Sequence, residues 1–338
     1  MREEQFLEEV QYFNSQLSAV IGQKIKCESN KILADALNYI RDTGGKRLRP
    51  IICILSAEAV GGSRDKAVST AIAIELLHNA TLVHDDVIDE NYVRRKNLSN
   101  PARYGEKRAI VIGDLLLGLS CEMLGRCGEP EVMRLVTRAI SDIAMGQYLE
   151  FTLRLRDLTE ATEQLYMEIA ELKTASAFMA SAEAGAILGC GSEIESENLR
   201  NYGKSLGIAY QIQDDVLDIC GDPEKTGKSV GLDIKNGERT ILVIHALNNS
   251  SQVEKAYVEE ILMKKREAGS SEIDRVRGIL INSHAINYAI TLSNELVQGA
   301  KNSIEGLENT EAKRKLQLIA DLAAQRIEEQ AQDTFIDR

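Results

Sequence analysis

Two short clusters of aspartates carry the most distinctive chemistry in this sequence. The first stands in "HDDVID" and the second in "QDDVLD", and their members are Asp85, Asp86, Asp89, Asp214, Asp215 and Asp218. On a helix, residues four apart share a face, so these carboxylates repel each other. Two unit charges ~4 Å apart interact by roughly 4 kcal/mol at an effective dielectric constant of about 20. A solvated acidic helix end explains one such cluster, but two copies in apolar helices indicate a bound cation.

Clustered carboxylates without histidine or cysteine ligands favour hard divalent cations. Mg²⁺ commonly uses one or two carboxylates and fills its other positions with waters and substrate phosphates. Ca²⁺ is the alternative, but neither cluster has the ligand spacing or the glycine of an EF-hand loop. The pattern therefore predicts Mg²⁺ and a phosphorylated ligand.

A phosphate site also needs basic side chains, and short basic groups lie near the clusters and the chain breaks. Arginine suits two-point contacts with phosphate, and lysine suits contacts through a single charge. His78 shares a helix face with Asp85 and offers a further donor. Each group alone can be surface charge, whereas their joint placement favours phosphate binding. The basic residues are Lys46, Arg47 and Arg49 in "GGKRLRP", Arg94 and Arg95 in "VRRK", Lys173, and Lys228.

The composition indicates how such residues are positioned. The chain has 338 residues, 44% hydrophobic content, 4% aromatic residues and four prolines. Alanine, leucine, isoleucine, glutamate and lysine dominate, which favours helices over sheets. No linker or low-complexity tract interrupts the pattern, so we predict one all-α domain over residues 1–338. The net charge of −12 argues against a nucleic-acid partner.

Helical periodicity divides the chain at its prolines. A segment rich in small residues, "KTASAFMASAEAGAILG", allows close helix approach and predicts a central helix of a bundle. The predicted helices cover two segments within Gln5–Thr43, then Ile51–Val60, Ser63–Tyr92, Arg108–Cys127, Pro130–Leu155, Glu160–Leu188, Ser196–Ile219, and several from Thr240 onward.

The location is predicted from leader, hydropathy and cysteine patterns. "MREEQFLEEV" is acidic and lacks the regions of a signal peptide, and no apolar run reaches membrane-spanning length. Stable membrane insertion is therefore not expected. The six cysteines are scattered without zinc-type spacing, as expected for thiols in a reducing compartment. We predict a cytoplasmic protein. The cysteines are Cys27, Cys53, Cys121, Cys127, Cys190 and Cys220.

These motifs resemble the trans-isoprenyl diphosphate synthases, or polyprenyl synthetases, which make farnesyl, geranylgeranyl and longer chains. The resemblance runs from about Gly44 to Thr240 and rests on "GGKRLRP", the two DDxxD clusters, the arginine pair and "GDPEKTGKSVGLDI". It implies a bundle of antiparallel helices around a deep cavity, normally as a homodimer. It also implies head-to-tail condensation of isopentenyl diphosphate with an allylic diphosphate by ionisation, condensation and elimination.

The resemblance implies a role for each matching position. All six aspartates would hold Mg²⁺, about three ions per active site, and would take part in catalysis with Lys173 and Gln211. The residues implied for isopentenyl diphosphate are Lys46, Arg49, His78 and Arg95. Those implied for the allylic diphosphate are Arg94, Lys173, Thr174, Gln211 and Lys228.

Two positions depart from the family pattern. The family often has glycine after the arginine pair and lysine within its "DIREGK" stretch, where this sequence has Lys96 and Glu238. Arg239 is adjacent and could replace the missing cation. The C-terminal "DTFIDR" could close over the site.

Product length in this family depends on the residues four and five before the first cluster. Here they are Thr81 and Ala80, both small, so the chain should pass this level. On the same helix, Leu77 and Ile74 lie one and two turns deeper and would form the floor. We predict an all-trans product of twenty to twenty-five carbons or longer, unless a side chain from another helix closes the cavity sooner.

Three other functions are compatible with parts of this pattern. A class I terpene cyclase shares the implied fold and first motif, but typically has a different second motif. A non-catalytic partner subunit of a heteromeric synthase would be expected to have lost aspartates, and this chain keeps all six. A metal-storage or scaffold bundle would not require Arg94 and Arg95 beside the first cluster.

Overall fold

Helices dominate the structure, a computed structural model that describes residues 2–27, 31–42, 44–223 and 230–330. This confirms the predicted all-α class. The first half contains α1 (Arg2–Cys27), α2 (Lys31–Asp42), α3 (Leu48–Ala59), α4 (Arg64–Ile88), α5 (Asn100–Tyr104), α6 (Glu106–Cys127) and α7 (Pro130–Leu155). The second contains α8 (Glu163–Ala170), α9 (Ser176–Leu188), α10 (Glu193–Cys220), α11 (Leu232–Asn236), α12 (Ile241–Asn249), α13 (Gln252–Lys264), α14 (Ser270–Asn282), α15 (Ala285–Ser303) and α16 (Glu311–Gln330).

The chain forms two compact units that alternate along the sequence. Unit 1 comprises Met1–Ile140, Ala177–Gly203 and Asn302–Ile319. Unit 2 comprises Ser141–Ser176, Lys204–Lys301 and Ala320–Arg338. Each unit therefore draws on distant parts of the chain. That residues 1–338 form a single domain stays a prediction.

The core of unit 1 surrounds the middle of α4. Its middle, including Ile74 and Leu77, is buried against apolar side chains of α6 such as Leu116. Small residues of α9 allow close packing, as predicted, because a Cβ at Gly185 would overlap the Cys53 carbonyl group of α3. The first aspartate cluster thus sits at the end of a helix that the core holds in place.

The C-terminal end of α4 differs from the predicted Ser63–Tyr92 helix. Ser63 caps the start as expected, because its hydroxyl accepts from the Asp65 N–H at 3.3 Å. The helix ends at Ile88, however, and Asp89 is its C-cap, with its N–H donated to the Asp85 carbonyl at 2.8 Å. Glu90 then adopts a left-handed φ of 47°, which stops the helix.

A two-stranded ribbon follows, which the sequence pattern did not predict. β1 (Val93–Arg94) pairs antiparallel with β2 (Asn97–Leu98). Arg95 and Lys96 form the two-residue turn, with φ values of 52° and 62°. Such hairpin turns require positive φ at both central positions and favour glycine at the second. The positive φ of this turn position therefore explains the glycine that the family often has in place of Lys96.

The predicted Glu160–Leu188 helix starts later than expected and is interrupted once. A 3₁₀ turn occupies Leu158–Glu160, and α8 starts after Thr162, whose hydroxyl accepts from the Leu165 N–H at 3.2 Å. Between α8 and α9, Glu171–Ala175 forms a π-helical turn. Such turns are often found at functional sites, and this one contains Lys173 and Thr174.

The structure bears on two expectations behind the predicted location, the absence of membrane-spanning helices and the state of the cysteines. Within the described residues, none of the helices combines the length and the apolar character that a membrane crossing needs. The five cysteines with described side chains are free thiols, namely Cys53, Cys121, Cys127, Cys190 and Cys220. The cytoplasmic location stays a prediction.

Candidate active site

The three aspartates of the first cluster have different surroundings. Asp86 is buried, at 1% exposure, and accepts from Arg94 Nε at 2.8 and 2.9 Å and from Arg94 Nη2 at 2.7 Å. Asp85 and Asp89 are only partly buried, one helical turn apart. Asp86 is therefore neutralised by Arg94, whereas Asp85 and Asp89 are less buried and lie in the last turn and at the C-cap of α4.

The four residues predicted for isopentenyl diphosphate all belong to unit 1, and the structure brings three of them together. Arg49 Nη1 lies 3.2 Å from His78 Nε2, and the Arg49 guanidinium stacks on the Phe178 ring at 4.3 Å. Arg95 donates to the Gly44 carbonyl, so it lies against the loop that leads to Lys46. Lys46 itself is exposed.

Gly45, directly before Lys46, lies against the Arg95 side chain. It has a φ of 137°, which L side chains rarely adopt, and a Cβ there would lie 2.7 Å from Arg95 Nη1. A side chain at this position would therefore strain the backbone and displace the Arg95 guanidinium.

Arg47 differs from its neighbours and was wrongly grouped with the phosphate-binding cations. It is buried, at 3% exposure, and pairs with the buried Glu75 of α4. Its Nε donates to Asn14 at 3.1 Å and its Nη2 to the Arg41 carbonyl at 3.1 Å. Arg47 thus fixes the loop to α4, and its guanidinium faces the interior of unit 1.

His78 is held as a neutral imidazole. Burial lowers its pKa well below 6.5, and the nearby Arg49, Arg95, Arg94 and Arg47 lower this pKa further. A neutral ring can accept a hydrogen bond from Arg49 at Nε2 and donate one from Nδ1. His78 therefore orients the guanidinium without adding positive charge.

The pH dependence of stability tests this state of His78. Because the folded pKa lies below the unfolded one, the unfolded chain binds the extra proton first as pH falls through 6.5. Relative to His78→Asn, the wild-type free energy of unfolding should fall below this pH, by up to about 1.4 kcal/mol per pH unit. Chemical denaturation at pH 7.5, 6.5 and 5.5 measures it.

His284 provides the control for this pH experiment. It is an exposed imidazole at a left-handed position with a φ of 59°, which asparagine tolerates. His284→Asn should keep the wild-type pH slope. Parallel slopes for the wild type and His78→Asn would contradict the neutral, buried state of His78.

The second aspartate cluster lies on α10 in unit 2, and Asp215 is its buried member. Asp215 accepts from the Tyr166 hydroxyl at 2.7 Å and from Gln211 Nε2 at 2.9 Å. Thr174 Oγ1 donates to Gln211 Oε1 at 2.6 Å. The structure therefore joins three predicted residues in one chain of hydrogen bonds and adds Tyr166.

Burial dominates the ionisation of Asp215. It raises the pKa of this carboxyl to about 7, Asp214 and Glu150 raise it further, and the Tyr166 and Gln211 hydrogen bonds oppose the rise. The Tyr166 pKa is raised well above 10.0, first by burial and then by Asp215. Tyr166 thus remains the donor of this pair.

Asp218 and Asp214 make different contacts. Asp218 accepts from the backbone N–H groups of Leu232 and Asp233, each at 3.1 Å, and so caps the start of α11. Asp214 is half exposed and pairs with Arg326 of α16. Within the described part of the chain, no three acidic, histidine or cysteine side chains converge closely enough to hold a metal. A Mg²⁺ ion would need waters or substrate oxygens to complete its ligand set.

Lys173 belongs to a charged network that connects to one of the departures from the family pattern. Its Nζ lies 2.7 Å from Glu150 Oε2, and Arg154 Nη2 lies 2.9 Å from the same oxygen. Arg154 Nε also donates to Glu238 Oε2 at 2.8 Å. Burial opposes ionisation of Glu150, but Lys173 and Arg154 keep its pKa below the usual value.

Arg154 therefore makes the ion pair with Glu238, and whether Arg239 replaces the family lysine stays a prediction. Arg239 is buried, at 5% exposure, and donates to the Gly237 carbonyl at 2.7 Å. Close packing fixes the network, because a Cβ at Gly146 would lie 2.5 Å from the Lys173 backbone nitrogen. Lys228 and the "DTFIDR" segment lie outside the described residues.

Sequence reasoning missed Tyr166, Glu150, Arg154 and Arg326. Glu150 and Arg154 are four apart on α7, but this spacing is equally typical of surface ion pairs. Tyr166 is seven residues before Lys173 and so shares its helical side, which is a weak indication. Nothing in the sequence near Arg326 connects it with Asp214.

Comparison with known proteins finds a matching family model and relatives that are similar over most of the chain. A family model described as "Polyprenyl synthetase" matches residues 30–280. The short chain isoprenyl diphosphate synthase of Methanothermobacter thermautotrophicus is 36% identical over 313 residues, covering 90% of this chain and 94% of that protein. The octaprenyl diphosphate synthase of Haemophilus influenzae is 31% identical over 290 residues, covering 85% and 86%.

A solved structure extends the similarity to three dimensions. It is that of a polyprenyl synthase from Caulobacter crescentus complexed with calcium and isoprenyl diphosphate. The TM-score is 0.86 at 29% sequence identity, and the match covers 94% of this chain and 97% of that one.

Proposed function

Because the chain belongs to the polyprenyl synthetase family, we propose that it condenses isopentenyl diphosphate with an allylic diphosphate by Mg²⁺-dependent, head-to-tail prenyl transfer. The observation that carries this proposal is in unit 1. There, a cluster of arginines around the neutral His78 lies beside a helix that ends in Asp85 and Asp89. Such a site combines cations that would bind isopentenyl diphosphate with carboxylates that would bind the Mg²⁺ of the allylic diphosphate.

The carboxylates of both clusters suit Mg²⁺ by their oxygen chemistry. Asp85 and Asp89 are the proposed ligands in the first cluster, since Asp86 is committed to Arg94. In the second cluster the half-exposed Asp214 is the most accessible ligand. Bound Mg²⁺ would stabilise the charge that develops on the leaving diphosphate. About three ions per site remain the proposed number, and the Caulobacter crescentus protein was solved with calcium.

The side chains supply the remaining contacts. Lys46, Arg49, His78 and Arg95 would hold isopentenyl diphosphate, and Arg94, Lys173, Thr174, Gln211 and Lys228 would act on the allylic diphosphate. The allylic C–O bond breaks with its electron pair on the diphosphate, and the isopentenyl double bond attacks the resulting carbocation. A proton then leaves to form the new double bond, with the released pyrophosphate as its acceptor. Apolar surroundings would exclude water from the cation.

The proposed product has twenty to twenty-five carbons or more, because Ala80 and Thr81 are small. Ala80 is buried, with 0% exposure, and so are Leu77 and Ile74 below it. Thr81 is only partly buried, and its hydroxyl donates to the His78 carbonyl at 2.8 Å. The relatives named above range from short chain to octaprenyl synthases, so product length varies among them.

Ala80→Phe is expected to shorten the main product to about fifteen carbons, because the ring would fill the space into which the chain grows. Overpacking this buried site should also destabilise the protein by about 1–3 kcal/mol. Chromatography of labelled products measures the length distribution. Thr81→Phe, at the less buried neighbour, gives a second bulky residue, and Thr81→Ser is the control. Unchanged product length in both phenylalanine variants would contradict the proposal that residues 80 and 81 limit chain growth.

We also propose a homodimer. The outer side of α6 exposes apolar side chains, with Val111 at 64% and Ile110 at 45% exposure. A second copy of the chain would cover them. Equilibrium sedimentation measures this state directly.

Incubation with labelled isopentenyl diphosphate and each allylic starter, with and without Mg²⁺, tests the proposed function. Magnesium-dependent prenyl diphosphates of twenty or more carbons would support both the reaction and the product length. Hydrocarbons formed from the allylic diphosphate alone would instead indicate a terpene cyclase. A folded protein without product would indicate a partner subunit.

A further inference from the structure

Arg326 of α16 makes an ion pair with a proposed metal ligand. Its Nη2 donates to Asp214 Oδ1, and the side chains are 13% and 49% exposed respectively. The guanidinium is thus largely covered, while the carboxylate stays open on one side. Both residues of this pair belong to unit 2.

Several contacts fix Arg326 in this position. The guanidinium stacks 5.0 Å from the centre of the Tyr210 ring, and its Nη1 approaches the Tyr210 carbonyl at 3.4 Å. Tyr210 precedes Asp214 by one helical turn, so both contacts lie along one side of α10. Burial alone would lower the Arg326 pKa, but Asp214 raises it above the usual value.

The helix that carries Arg326 is itself attached to α10. The buried Gln213 donates from Nε2 to the Ala323 carbonyl of α16 at 3.0 Å and to Ser293 Oγ of α15 at 3.0 Å. Ala323 lies one turn before Arg326. These hydrogen bonds hold α16 against α10, so the guanidinium of Arg326 stays close to Asp214.

A guanidinium and Mg²⁺ are both attracted by the negative charge of a carboxylate. Arginine holds a carboxylate through directed N–H donors, whereas Mg²⁺ demands short oxygen contacts in octahedral geometry. Arg326 donates to Asp214 Oδ1, so a Mg²⁺ ion on the other oxygen would lie close to the guanidinium, and the two positive charges would repel each other. Metal binding at this carboxylate must therefore overcome the ion pair.

We propose that Arg326 is a positioning residue that holds Asp214 in the metal-free enzyme and competes with Mg²⁺ for it. Arg326 thereby sets the Mg²⁺ concentration at which the second aspartate cluster is loaded. This inference rests on the proposed function, because it takes Asp214 as a metal ligand. It adds a determinant of metal affinity from the C-terminal helix.

Binding of Mg²⁺ to the full chain in the presence of inorganic pyrophosphate tests the competition without turnover. Calorimetric titration of Arg326→Met should give a half-saturating Mg²⁺ concentration about threefold to tenfold below the wild-type value. Arg326→Lys keeps a cation but lacks the directed fork, so its value should fall between the two. Because each variant is compared with its own metal-free form, a modest loss of stability does not obscure the result.

Lys301→Met is the matched control, since Lys301 pairs with Asp321 of α16 at 2.7 Å without touching Asp214. Its half-saturating concentration should equal that of the wild type. An unchanged or higher concentration in Arg326→Met would overturn the proposal. Failure of the wild type to make prenyl products with Mg²⁺ would instead count against the proposed function, so the two failures are distinguishable.

Discussion

Asp85→Asn is expected to lower kcat/KM for prenyl transfer by about a thousandfold or more. Asp85 is a partly buried residue in the last turn of α4 and a proposed metal ligand, and asparagine keeps its shape but removes the charge. Electrostatic stabilisation of a leaving group is commonly the largest contribution to catalysis, and losing one metal ligand removes much of it. Steady-state rates at saturating Mg²⁺ measure the effect.

Two comparisons show whether this loss is specific. Asp65→Asn makes the same change in the first turn of the same helix, at an exposed carboxylate, and should leave kcat/KM within about twofold. Asp86→Asn removes the partner of Arg94, so it should lower thermal stability as well as activity. An Asp85→Asn enzyme with near wild-type rates would contradict the role given to the first cluster.

Arg47→Met is expected to lower the free energy of unfolding by about 3–5 kcal/mol, because it leaves a buried charge without its partner. The side chains of Arg47 and Glu75 are 1% and 3% exposed. Asn79 Nδ2 donates to Glu75 Oε1 at 2.9 Å, but a neutral amide cannot neutralise the carboxylate. Urea unfolding monitored by far-UV circular dichroism measures the loss.

A double variant and a surface pair sharpen this stability prediction. Arg47→Met combined with Glu75→Leu removes both charges and should recover most of the loss. Arg156→Met breaks the exposed pair with Glu160, whose side chains are 49% and 50% exposed, and should cost about 1 kcal/mol or less. A double variant no more stable than Arg47→Met alone would show that shape, rather than unpaired charge, causes the loss.

The functional meaning of the Arg47–Glu75 pair follows from its place. It joins the loop before α3 to the middle of α4, three residues before His78. Loss of the pair should therefore disturb Lys46 and Arg49 on one side and His78 on the other. The sequence groups Arg47 with its neighbours because burial is not visible in a run of basic residues.

The sequence alone was sufficient for the helical class, the paired aspartate clusters and the family. Their spacing is local, and the repeated DDxxD needs no tertiary knowledge. The elements of α7 and the start of α4 were also predictable, since a proline begins one and Ser63 caps the other. The end of α4 was not, because the helix stops at a residue that is itself part of the metal motif.

The sequence could not indicate which of the aspartates already have a partner in the fold. Asp86, Asp214 and Asp218 look equivalent in the motif, yet the structure gives them an arginine, a second arginine and a helix N-terminus as partners. These partners depend on contacts between segments far apart in the chain. The same applies to the ion pair between Arg154 and Glu238, which are 84 positions apart in the chain.

The most direct test of the central claim is the stoichiometry of pyrophosphate release by the wild-type enzyme. With an allylic diphosphate, labelled isopentenyl diphosphate and Mg²⁺, we predict one pyrophosphate released for each isopentenyl unit incorporated, and neither event in excess EDTA. Pyrophosphate released without incorporation, or incorporation that persists in EDTA, would contradict metal-dependent prenyl transfer.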